Sequence, residues 1–72
     1  RHISNSIRDT VAVRDQHRCT FVGVSGHRCS ETSGLQLDHI KPFSFVGEHS
    51  EENLRLLCRQ HNLYMFAQTL DP

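Results

Sequence analysis

The first thing this chain of 72 residues lacks is a surplus of basic charge: eight Lys and Arg balance eight Asp and Glu, for a formal net charge of zero. A tight autonomous nucleic-acid binder is expected to be basic, so any affinity for phosphate must come from local placement of charge. No apolar run approaches membrane-spanning length, and the start does not resemble a secretory signal. No repeat, linker or low-complexity tract divides the sequence, so a single domain over residues 1–72 is expected. Arg1 in place of Met leads us to expect a piece of a longer protein. A core of this size supplies only about 3–5 kcal/mol, so a further staple is expected as well.

The cysteines are where that staple is sought. There are three, an odd number that cannot all pair within one chain. Without a secretory signal, this favours metal ligation or free thiols over a disulfide framework. Cys58-x-x-His61 has the spacing of a zinc half-site, and Cys19 with Cys29 can supply the other half. Thiolate and imidazole are the ligands zinc takes in closed tetrahedral structural sites. The alternative is a Cys19–Cys29 disulfide with Cys58 as a small buried apolar group.

Periodicity places these groups on elements. Ser4 or Asn5 can cap a helix whose Ile7, Val11 and Arg14 share one face, ending near Gln16 or His17. Residues 19–29 read as a short hairpin or knuckle, with turn glycines at 23 and 26 and a sulfur at either end. Residues 35–40 alternate as a strand that Pro42 closes, and 43–52 read as a loop with Gly47, Glu48, Glu51 and Glu52. Asn53–Cys58 reads as a second strand. Leu63, Phe66, Ala67 and Leu70 then recur at helical spacing, which predicts a helix over 60–70 with Leu63, Phe66 and Leu70 in the core and Tyr64 and Met65 partly exposed. His2, His17, His27 and His49 read as surface histidines.

In that order, Leu37-Asp-His-Ile-Lys-Pro42, a loop, and Glu52-Asn-Leu-Arg-Leu-Leu-Cys-Arg-Gln-His-Asn62 resemble the HNH endonuclease family over about residues 35–66. Ile7-Arg-x-x-Val11, Arg14-Asp15 and Cys19 are similar to the lead-in of its bacterial zinc-containing members. The resemblance implies an α+β domain: a ββα-metal core (35–70) preceded by a lead-in helix (1–18) and a zinc-binding knuckle (19–34). It further implies a metal-dependent DNA endonuclease that cuts one strand per site, leaving 5′-phosphate and 3′-hydroxyl ends. By position, His39 matches the general base, Asp38 a ligand of the catalytic divalent ion, Asn53 the residue that orients the histidine, and Asn62 the last ligand of that ion. Many zinc-containing members end Cys-x-x-Cys-His, where this chain has Cys58-Arg-Gln-His61-Asn62. The alignment that uses both residues gives His61 to zinc and Asn62 to the catalytic ion; the competing one gives His61 to the catalytic ion. The resemblance also suggests a bacterial or phage origin and a cytoplasmic setting, with double-stranded DNA as partner and no membrane.

The chemistry is coherent. A histidine can take a proton from water near neutral pH, and oxygen donors from Asp38 and Asn62 suit Mg2+ or Mn2+ while the thiolate site suits Zn2+. Lys41, Arg55 and Arg59 are candidate phosphate contacts. One tension stands against a shared site: in a regular strand Asp38 and His39 point to opposite faces. The alternative reading is a zinc-stabilised nucleic-acid-binding module without activity.

Overall fold

The computed structural model describes residues 3–40 and 50–70, the side chains of 69 and 70 excepted. Lys41, Pro42, Gly47, Glu48, the surface histidines 2 and 49, and the core position assigned to the Leu70 side chain lie outside what is described. Helix α1 spans Asn5–Arg14, strand β1 Leu35–His39, a 3-10 turn Glu51–Asn53, strand β2 Leu54–Cys58, and helix α2 Arg59–Leu70. The architecture is α+β, as expected. The second strand begins one residue later than the sequence suggests, because Asn53 closes the 3-10 turn.

Ser4 caps α1: its extended backbone breaks the helix, and its hydroxyl accepts the Ile7 N–H at 3.3 Å. The helix stops two to three residues short of the expected end. Asp15 caps it, and Gln16 and His17 take left-handed φ angles of 63° and 52°, which reverse the chain toward Cys19. The knuckle is a narrow loop. Val22 and Arg28 form an isolated antiparallel bridge, the Cys29 N–H reaches the Phe21 carbonyl at 2.7 Å, and Gly26 turns the tip with φ 86°.

The strands pair antiparallel, with Leu35 opposite Cys58 at one end and His39 opposite Leu54 at the other. One face of β1 carries Leu35 and Leu37; these join Ile3, Ile7, Val11, Leu54 and Leu56 in the cluster that packs on α1. The other face carries Gln36 and Asp38, opposite Leu57 and Arg55. Leu57 is buried there with Cys19, Cys58 and Met65. Thr20 clamps the knuckle to the sheet, its N–H and hydroxyl both donating to the Leu56 carbonyl at 3.0 and 2.8 Å.

The reading of α2 needs correction. Leu63 and Phe66 are each 61% exposed, whereas Met65, partly exposed as expected, packs against the thiol cluster. Ligand geometry outweighs hydrophobic periodicity here. At about 100° per residue, Met65 lies roughly 40° round the helix from His61, whereas Leu63 and Phe66 lie roughly 200° and 140° away. With His61 turned toward the thiols, the apolar stripe faces outward. Tyr64, at 49%, is exposed as expected.

Candidate metal centre and nuclease site

Cys19 follows the left-handed turn, Cys29 ends the knuckle, Cys58 ends β2, and His61 lies in the first turn of α2. These four distant positions converge: their donor atoms all lie within 4.8 Å of one another. His61 Nδ1 is 3.3 Å from Cys58 Sγ and 3.6 Å from Cys19 Sγ. Donors at zinc bond lengths in a tetrahedron lie about 3.3–3.8 Å apart, so a small contraction closes the group on one ion. All three cysteines are free thiols, so the disulfide alternative is not formed.

The surroundings prepare thiolate chemistry unevenly. Burial pushes the Cys19 thiol above its ordinary value despite the Cys58 and Phe21 N–H groups. Burial pushes Cys58 up too, but the His61 N–H, the neighbouring Cys19 and Cys29, and the Gln60 N–H more than offset it, and its thiol lies below its ordinary value. Cys58 owes this to its place: it directly precedes α2, where N–H groups without helical partners point at its sulfur. The His61 ring stacks on Phe21, centroids 4.0 Å apart and planes 10° from parallel, with Tyr64 edge-on to Phe21 at 5.6 Å.

A second network holds the knuckle in place, and the sequence reading missed its extent. Arg14 grips the buried Asp15 carboxylate at 2.7 and 2.9 Å and donates to the carbonyls of Glu51 and Leu54 at 2.7 and 2.6 Å. Asp15 also accepts the Leu56 N–H at 3.0 Å. Burial would raise the Asp15 carboxyl, but Arg14 and the Leu56 N–H, with help from the charge of Arg28, hold it below 3.8. Arg28 donates to the Cys19 and Arg18 carbonyls at 2.8 and 3.0 Å, to Gln16 Oε1 at 2.9 Å and to the Asp15 carbonyl. The adjacent Arg14-Asp15 pair after an amphipathic helix was the available signal. Nothing local to Arg28 announced its role.

Of the remaining candidates, Asp38, His39, Asn53 and Arg55 lie toward the other end of the sheet, while Arg59 and Asn62 stay in the first turn of α2. Asp38 is directly opposite Arg55, whose Nε donates to its Oδ2 at 2.9 Å. Asn62 Nδ2 donates to Gln36 Oε1, so the first turn of α2 reaches the β1 face that carries Asp38. Asn53 is buried, and its carbonyl accepts the Ile40 N–H at 2.9 Å, which pins the chain immediately after His39. His39, half-buried, is paired in register with Leu54. The strand is therefore regular through His39, and Asp38 and His39 leave it on opposite faces. Any site they share must lie across the end of the strand. Arg59 is exposed at the start of α2.

A fold of this order and a Cys3His cluster at the strand–helix junction define a ββα-metal domain. A family model for HNH endonuclease matches residues 18–63, well over half of the chain, and the chain belongs to that family. The match begins beside Cys19 and ends just beyond Asn62, so it takes in both candidate sites. The family points to nuclease or nucleic-acid-binding function, with metal and DNA as its ordinary partners. No curated protein and no solved structure matches the chain. Among the described residues, no helix is long and apolar enough to cross a membrane.

Proposed function

We propose that this chain is a divalent-ion-dependent DNA endonuclease, stapled by one zinc ion, that hydrolyses one phosphodiester per site. The observation that carries the reading is the contact of Asn62 with Gln36, which brings α2 onto the β1 face that bears Asp38. An oxygen donor from the helix and one from the strand thereby share a face. Their donor set, a carboxylate and an amide oxygen, fits a hard cation. Zinc would be held by Cys19, Cys29, Cys58 and His61, joining turn, knuckle, sheet and helix.

His39 would take the proton of the attacking water on an imidazole nitrogen. The hydroxide attacks phosphorus, the bond to the 3′ oxygen breaks, that oxygen takes a proton from solvent water, and the products carry 5′-phosphate and 3′-hydroxyl ends. Mg2+ or Mn2+ held by Asp38 and Asn62 would supply Lewis acidity and neutralise developing charge. Asn53, through the Ile40 N–H, fixes the backbone that aims His39. Arg55, Arg59 and Lys41 are the candidate phosphate contacts.

The opposite facing of Asp38 and His39 favours the other reading, a zinc-stabilised nucleic-acid-binding module. Supercoiled-plasmid nicking separates the two. The zinc-loaded chain should nick with added Mg2+ or Mn2+, stay silent without it, and lose the activity as His39→Ala. A folded, zinc-loaded protein that binds plasmid and never nicks it would establish the binding module instead.

A further inference from the structure

The Asp38–Arg55 pair poses a question that the nuclease reading leaves open. Both side chains are about a quarter exposed, at 23% and 27%, and the guanidinium sits 2.9 Å from Oδ2 of the carboxylate that would hold a cation. Their positions are fixed by the sheet: residues 38 and 55 are cross-strand partners, so the contact follows from register and not from a chance rotamer. Asn62, on the same face, is tied to Gln36 through its nitrogen, and its oxygen remains the atom suited to a metal. Arg55 is thus held at Asp38 by one partly exposed, exchangeable ion pair, which a competing cation can displace.

We propose that Arg55 is a metal-displaced gate: it neutralises Asp38 in the metal-free protein, yields the carboxylate to the divalent ion, and then turns its planar fork to a DNA phosphate. The inference rests on the assignment of Asp38 to the catalytic ion. Charge balance makes the exchange reasonable. An arginine left beside a bound dication is repelled by it, and a phosphate is the anion that a nuclease brings to that face. The same residue would then couple metal loading to substrate binding, so that the chain holds DNA more firmly only when ready to cut it.

Calorimetric titration of Mn2+ into the zinc-loaded chain tests the first half. Arg55→Gln should bind Mn2+ about two- to fivefold more tightly, the scale of a partly exposed ion pair removed as competitor. Arg55→Lys, which keeps the charge and loses the fork, should fall between. Fluorescence anisotropy with duplex DNA, in a His39→Ala background that does not cleave, tests the second half. Without Mn2+, Arg55→Gln should leave DNA affinity unchanged; with Mn2+ it should weaken binding and lower the salt slope by about one. Unchanged or weaker Mn2+ binding by Arg55→Gln would overturn the gate, as would an equal loss of DNA affinity with and without Mn2+. Asp38→Asn keeps the two failures apart. If it abolishes Mn2+ binding while Arg55→Gln changes nothing, only the gate falls. If it leaves Mn2+ binding intact, the metal assignment of Asp38 falls, and the gate with it.

Discussion

At the Leu35–Cys58 end of the sheet, three thiols and an imidazole face one another behind the ring of Phe21, with Cys19 fully buried and Cys58 nearly so. At the Asp38–His39 end, about 13 Å away along five-residue strands, the polar groups are partly exposed and Asp38 is held by an exchangeable partner, Arg55, while nearer the thiols Gln36 holds Asn62. Soft donors close one end; hard donors leave the other reachable. Structural zinc sites are closed and catalytic sites keep an open position, and on the proposed assignment this small domain would divide those demands along one sheet. The difference teaches that stability and chemistry can be separated over a few residues when each end uses its own ligand class.

The largest effects should appear at the closed end. Cys19→Ala or Cys58→Ala, or removal of zinc by a strong chelator, should abolish the cooperative thermal transition followed by circular dichroism, because zinc binding of this kind carries on the order of 10 kcal/mol. A cysteine variant that keeps its transition would show that the apolar clusters suffice, and the comparison would lose its structural half. At the open end the reverse is expected. His39→Ala should melt within a few degrees of the parent and still lose about 10²–10⁴-fold in nicking rate. A large fall in melting temperature would mean that His39 is part of the scaffold.

Between these lies Asp15. It touches neither candidate site, yet it joins α1, the sheet and, through Arg14, the turn that holds Asn53. Asp15→Ala leaves the buried Leu56 N–H without its partner and strips the Arg14 guanidinium of its carboxylate, and should cost about 3 kcal/mol in denaturant unfolding. The Asp15 carboxyl is held below the ordinary carboxylate value, so its contribution is fully present near neutral pH and is lost only in acid, as pH falls through that lowered value. The cost of Asp15→Asn should accordingly be the same at about pH 6 and about pH 8. A cost that grows between those values would point to some other group.

What could be read in the sequence follows the same division. Cys58-x-x-His61 announces its chemistry by residue type and spacing, and element order followed from helical and alternating periods that the backbone obeys. The cap at Ser4 was legible for a similar reason, since capping is local. Arg28 was not legible, because its partners Asp15, Gln16, Arg18 and Cys19 are assembled by the left-handed turn at Gln16 and His17, and neither residue type signals that conformation. Nor was the pairing of Asp38 with Arg55, which needs a register that only the folded sheet supplies.

The helix α2 shows most plainly how a site can override a pattern. Its apolar spacing is that of a core helix, and its exposed Leu63 and Phe66 show that packing did not orient it. If His61 and Met65 fix its rotation instead, as their place against the thiol cluster implies, the two kinds of residue should respond oppositely to truncation. Leu63→Ser should change stability by less than about 0.5 kcal/mol, the range of ordinary surface substitutions. Met65→Ala removes a half-buried side chain next to Leu57 and Cys58 and should cost more, about 1–2 kcal/mol, and loosen zinc as well. Competition with a chromogenic chelator would read the zinc affinity directly. Were Leu63→Ser the costlier change, hydrophobic packing would be what sets the helix, and the closed end of the sheet would owe its order to more than its ligands.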